Sequence, residues 1–219
     1  MTPAPQPKVT GLRRFVAPPP RTAAELERCA LCGEELGGSG VPDRHRHLVD
    51  TQDRSIACAC TACGLLFTRD GAAGGRYRTV PDRVLHEPGL PLTDAEWAAL
   101  AIPVNNAFFF LNSALGRVIA SYPSPAGVTE CELDLAAWDE VAAAHPLLRA
   151  LAPDTEAILI VRPETFLVPI DVCYALAGAL RLNWHGFDGG DEVRQTIAAL
   201  LDDLRRRTRP LEPATDGRA

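Results

Sequence analysis

No apolar run in this 219-residue chain approaches the roughly 20 residues that a helix needs to cross a bilayer. The longest candidate, VPIDVCYALAGALRLNW (Val168 to Trp184), is broken by Asp171 and Arg181. Basic charge is not in excess either. Twenty-two Lys and Arg face 28 Asp and Glu, for a net charge of −6 and a pI near 5.4. A nucleic-acid binder needs a basic face to displace counterions, and anionic lipid asks for the same sign, so neither partner is expected. The opening MTPAPQPKVTGLRRFVAPPP has arginines but no apolar core, so it is not read as a secretory signal, and a cytoplasmic location is expected. Internal repeats are missing. So is any P-loop or dinucleotide fingerprint, and no Ser-His-Asp, Cys-His or paired-carboxylate arrangement stands out. Nothing points to a defined reaction, and a non-enzymatic protein is expected.

Sulfur is what the chain does have. Five of its seven cysteines and two of its five histidines fall between Cys29 and Phe67. An odd, crowded set is unlike the even, dispersed cysteines of a secreted disulfide scaffold, and in a reducing compartment it reads as metal ligands. Cys29-Ala-Leu-Cys32-Gly33 and Cys60-Thr-Ala-Cys63-Gly64 are matched C-x-x-C-G knuckles with 27 residues between Cys32 and Cys60. Two intervening residues let a tight turn aim both sulfurs at one point. A following glycine tolerates positive φ, so backbone N–H groups can face the thiolates. Cys29, Cys32, Cys60 and Cys63 would together hold a tetrahedral Zn²⁺, with bonds near ~2.3 Å and no open position for water.

The same cage suits iron. Rubredoxins carry paired knuckles of this kind, and the chain resembles them at these positions. It departs from them after the first knuckle, where GEELGGSGVPDR stands in place of a tyrosine-rich segment. Electron-transfer iron wants a dry aromatic shell, so zinc is favoured over iron.

Cys58, His45 and His47 remain. HRHLVD and SIACAC form a hairpin about the turn TQDR. If that turn centres on Gln52 and Asp53, His47 lies opposite Cys58 and His45 opposite Cys60, all on one face. Two readings stay open. The three residues form an additional metal or redox site (a transient nickel or iron site for metal delivery is one version) or replace a knuckle cysteine. Otherwise Cys58 is a compact buried residue and the histidines support the first site or face solvent.

Around this module the fold class reads as α+β: an N-terminal zinc-ribbon-like module, then an α/β unit with an antiparallel sheet of about five strands and three to four helices. Residues 1–22 form a disordered tail rich in Pro, Thr and Ala, within which GLRRFV is either a docking peptide or a solvated stretch. Residues 23–70 form the metal module, with a short helix over TAAELERCA capped by Thr22. Residues 71–103 are a linker ending in one short helix, where Thr93 and Glu96 make a capping box. In the α/β unit, residues 104–207, NNAFFFLN, GRVIASYP and GVTECEL form a meander, and EAILIVR with TFLVPI a hairpin. DLAAWDEVAAAH, DVCYALAGALRL and DEVRQTIAALLDDLRRRT are helices; the last puts Val193, Ile197, Leu200, Leu201 and Leu204 on one face. Residues 208–219 form a second disordered tail.

Cys131 and Cys173 read as core residues. His145, before Pro146, reads as a helix-end group, and His86 sits in the linker with no motif around it. In NWHGFDGG, Trp184, His185 and Phe187 either line a partner surface or pack a glycine-rich turn. The helix start after them is a candidate anion site.

CALCG, HRHLVD, CACTACGLLF, RYRTVPDRV, YPSPAGVTECELDL, FLVPIDVCYALAG and LNWHGFDGGDEV together resemble an uncharacterised bacterial domain family, mainly actinobacterial, associated with [NiFe]-hydrogenase gene clusters. The resemblance spans residues 11 to 207. It implies a protein partner, either a hydrogenase subunit or a maturation factor, and assigns no catalytic residue.

Overall fold

Phe108, Phe109 and Phe110 set the architecture, because a strand apolar at successive positions must be covered on both faces. They lie in β5 (Asn106–Asn112), where all three are buried. A computed structural model describes residues 27–36, 45–53, 55–69, 71–87, 90–125, 127–185 and 189–210. In it, β5 pairs antiparallel with β6 (Arg117–Ser124) on one side and β8 (Glu156–Val161) on the other. Beyond β6 lies β7 (Gly127–Cys131), and beyond β8 lies β9 (Glu164–Pro169). These are the five expected strands. Among the described residues the sheet has two more, β4 (Leu85–His86) on β9 and β10 (Arg209–Pro210) parallel to β4. Each is only two residues long, too short to carry a periodic pattern. β10 falls in what was expected to be a disordered tail, and Arg209 N–H donates to the Val84 carbonyl at 2.9 Å.

Alternation along the strands divides the core in two. Phe109, Ile158, Ile160 and Leu167 face α2 (Asp94–Ala99), α3 (Leu135–Ala144) and α4 (Pro146–Arg149), meeting Trp97, Trp138 and Leu147. Trp138 stacks on Phe109 with centroids 4.9 Å apart, and Trp97 meets the same ring edge-on. Phe108, Phe110, Leu159, Phe166 and Val168 face α5 (Ile170–Asn183) and α6 (Gly190–Arg207). The expected apolar stripe of α6 packs here, with Val193 and Leu204 buried. Thr93 and Glu96 form the capping box of α2, and Asp134 Oδ1 accepts from Ala136 and Ala137 N–H to open α3.

A second sheet carries the cysteine region. β1 (His45–Asp50) pairs with β2 (Ser55–Cys60) on one edge and with β3 (Tyr77–Thr79) on the other. β3 corrects the reading of residues 71–103 as a linker. Its three residues follow a glycine-rich turn and show no alternation by themselves. The same stretch supplies Val80 and Val84 to the core shared with Phe108. It is further pinned by Arg83, whose guanidinium donates to the fully buried Glu156 carboxylate at 2.5 and 2.8 Å. The helix expected over residues 22–30 is also corrected where it can be seen: Arg28 bridges to Glu35 instead, because the first knuckle turns the chain back on itself. Residues 1–22, with GLRRFV, lie outside the described residues.

Asp50 closes the β1–β2 turn. Its Oδ1 accepts from Gln52 and Asp53 N–H, and its Oδ2 takes a fork from Arg76 at 2.7 and 2.9 Å. The Arg76 guanidinium holds the carboxyl at about 2, below its ordinary 3.8. A carboxylate depressed in the folded state contributes stability above the ordinary value and loses it as pH falls through the folded one. The stability advantage of the parent over Asp50→Asn, measured by urea unfolding, should therefore be constant from neutral pH down to about 4 and shrink steadily below it. A difference unchanged between pH 4 and pH 2 would contradict this.

Candidate metal centre

Cys29 to Gly33 form a turn closed by Gly33 N–H on the Cys29 carbonyl at 2.9 Å, with Gly33 at φ +79°. Only a residue without Cβ takes that conformation cheaply. The turn is tied to the sheet through Ala30 N–H on the Cys58 carbonyl at 2.9 Å. The second knuckle is built differently. Cys60 ends β2 and caps α1 (Thr61–Leu65), its Sγ accepting from Cys63 N–H at 3.4 Å. Gly64 is helical, so the positive φ expected of it is not its reason for being glycine. A Cβ there would meet Cβ and Cγ of Arg46 at 2.8 Å. Close approach of α1 to β1 is the constraint, and Thr79 adds a hydrogen bond to the Gly64 carbonyl at 2.6 Å.

These two turns bring the sulfurs of Cys29, Cys32, Cys60 and Cys63 within 4.8 Å of one another. Cys32 and Cys60 are 3.8 Å apart. A tetrahedron with bonds of ~2.3 Å has edges of about 3.8 Å, so the cage has the size of a four-thiolate metal site. Every cysteine is a free thiol. Burial alone would push the Cys29 thiol up, but N–H groups of Cys60, Cys32 and Leu31 outweigh it and bring it down to about 6. Cys63 moves the other way, pushed up to about 12 chiefly by its sulfur neighbours Cys32 and Cys60. Glu34 N–H favours the Cys32 thiolate, yet the adjoining Cys29 leaves Cys32 raised. Four thiolates so close cannot all carry charge alone, and a bound cation is what would let them. The cage rests on Leu36, Leu48 and Ala59, with Phe67 partly buried against it.

His45, His47 and Cys58 come together beside it. The register pairs His47 with Cys58 and His45 with Cys60, the alignment expected from a turn at Gln52 and Asp53. Their donor atoms also lie within 4.8 Å of one another. Two partners were invisible to local sequence reading. Asp171, at the start of α5 and 124 residues away, contacts His47 Nδ1 through Oδ2, and Glu27 Oε1 accepts from the Cys58 thiol at 2.8 Å.

The other candidates fall elsewhere. Cys173 is fully buried in the core, where burial raises its thiol, and Cys131 is partly buried at the sheet edge. His145 is buried, and its Nε2 meets Glu96 Oε1 at 3.0 Å, so it joins α3 to the capping box of α2 as well as ending a helix. His86 stacks on Phe166. Trp184 packs against the core, while exposed His185 pairs with Glu192 at 3.2 Å. Phe187 lies outside the described residues.

Fold and cage define an α+β protein with a four-cysteine site that could hold a metal ion. Residues 28–208 match a family of unknown function (DUF5947), and the chain belongs to that family. No curated protein and no solved structure matches it.

Gly64→Ala tests the close approach at the second knuckle. Alanine is ordinarily the better helix former. Here it should cost about 1–3 kcal/mol, as overpacking does, read from urea midpoints with metal in excess. A neutral or stabilising result would show that α1 and β1 have room to spare.

Proposed function

We propose that this protein is a non-enzymatic accessory or assembly protein whose N-terminal part is folded around a structural Zn²⁺ held by Cys29, Cys32, Cys60 and Cys63. The observation that carries the reading is the convergence of four cysteine sulfurs with a tetrahedral edge between Cys32 and Cys60. Four thiolates close the coordination sphere, so the ion would support structure and leave no corner for chemistry. The metal would be taken up in a reducing cytoplasm, where such thiols stay available.

A protein partner fits the surface beside the cage. Leu31 lies inside the first knuckle and Leu65 and Leu66 just beyond the second, and all three are exposed. The resemblance of the chain to a family associated with [NiFe]-hydrogenase gene clusters supplies the partner in this proposal: a hydrogenase subunit or a maturation factor.

Exposure of Cys32 at the surface favours a second reading, a rubredoxin-like iron carrier, since an electron-transfer site must bring its metal close to a partner. Against it, Phe67 is the single aromatic packed against the cage among the described residues, where tuned iron wants a dry aromatic shell.

Structural zinc in a module this small can supply on the order of 10 kcal/mol. Protein made in iron-rich medium should therefore be colourless, and Cys29→Ser with Cys32→Ser should lower its zinc content by one per chain. Amide-exchange protection should be lost over residues 27–36 and 58–67 and kept in β5, β8 and β9. Red protein that bleaches with dithionite would favour the iron carrier, and equal protection in variant and parent would contradict structural zinc.

A further inference from the structure

We propose that His45, His47 and Cys58 form a second metal site, separate from the four-cysteine cage and suited to a borderline divalent ion such as Zn²⁺ or Co²⁺. Antiparallel register puts the three donors on one face of the β1–β2 hairpin. Register alone would serve equally well for three packed side chains. The aim of the nitrogens is what separates the two cases.

His47 Nδ1 is hydrogen-bonded to the Asp171 carboxylate, which can only accept. The proton of a neutral His47 ring therefore sits on Nδ1, and Nε2 presents a lone pair. That lone pair accepts a hydrogen bond from His45 Nε2–H at 3.2 Å, with the ring planes at 66°. A metal ion would take the place of that proton between the two nitrogens, with the His45 ring carrying its proton on Nδ1 instead. Two imidazoles bound tetrahedrally at ~2.0–2.1 Å have their nitrogens about 3.3 Å apart. Cys58 Sγ completes a set of three donor atoms within 4.8 Å of one another. A carboxylate behind a ligating histidine is the usual device for fixing its tautomer and raising its basicity. Asp171 has that place here, and it comes from α5, so the site spans the junction between the hairpin and the larger sheet's helical layer.

Two nitrogens and one sulfur select borderline ions over Mg²⁺ or Ca²⁺. On binding, the Cys58 thiol gives up its proton and forms the sulfur–metal bond; Glu27, whose carboxylate accepts from that thiol, lies where the proton leaves. Asp171 keeps its hydrogen bond to Nδ1–H throughout. His45 and His47 are half-buried and line an open cleft with Thr61, Asp82, Asp171 and Arg207. Two of the three donors line the cleft, and a tetrahedral ion held by three protein atoms keeps its fourth position for solvent or a small ligand, which is how an exchangeable site differs from a closed one. Cys58 and Cys60 are successive same-face residues of β2, so the two ions would sit roughly 6–7 Å apart along the strand and share no ligand.

The test is titration of full-length protein, already holding one metal in its cage, with Co²⁺ followed by calorimetry and visible absorption. The parent should take up one further equivalent, and His45→Ala and Cys58→Ser should take up none while retaining the first metal. Asp171→Asn keeps all three ligands and should bind the added Co²⁺ 10–100-fold more weakly, the effect expected of a histidine's supporting carboxylate. No further uptake by the parent, or uptake by both ligand variants equal to the parent's, would overturn the proposal. The cage is read separately, from retention of the first metal, so failure of either site shows without the other.

Discussion

Four sulfur atoms within 4.8 Å of one another are the constraint around which the cysteine region of this chain is arranged. Thiols so arranged do not pack for their own sake. Against burial, backbone N–H groups bring Cys29 down to about 6, while the neighbouring sulfurs push Cys63 up to about 12, an imbalance of charge that one divalent cation would relieve across all four. Everything around them serves convergence: the tight turn at Gly33, the cap that Cys60 places on α1, and the contact of α1 with Arg46 that leaves no room for a Cβ at Gly64.

The hairpin under the cage works on both faces. Leu48 and Ala59 support the knuckles, while Val49 and Ile56 pack into the core that also contains Phe108 and Phe110. Val49 follows His47 by two residues and so shares its face. One strand of six residues thereby carries both histidines and apolar residues of the main core, and the contact of His47 with Asp171 crosses to α5. The hairpin that ends in Cys60 is thus also the element that meets α5 through His47.

How much of this could be read from the sequence followed the range of the signal. The paired knuckles, the hairpin register, the five long strands and the Thr93–Glu96 capping box are all written in residues close together in the chain, and each was legible there. The edge strands β4 and β10 are two residues long and owe their existence to the strand beside them, so no pattern announced them. β3 was hidden by the glycines before it. Asp171 read as an interruption in an apolar helix, and only the fold shows that it faces a histidine 124 residues earlier. His145 looked like a helix end and proved also to hold Glu96 from another helix. Gly64 matched a motif for one reason and is required for another.

Anomalous diffraction from crystals of the metal-loaded protein, collected on both sides of the zinc edge, tests the central claim most directly. It should show zinc density centred among Cys29, Cys32, Cys60 and Cys63, about 2.3 Å from each sulfur. Sulfurs joined in a disulfide, or an empty centre in protein that nonetheless folds, would contradict it.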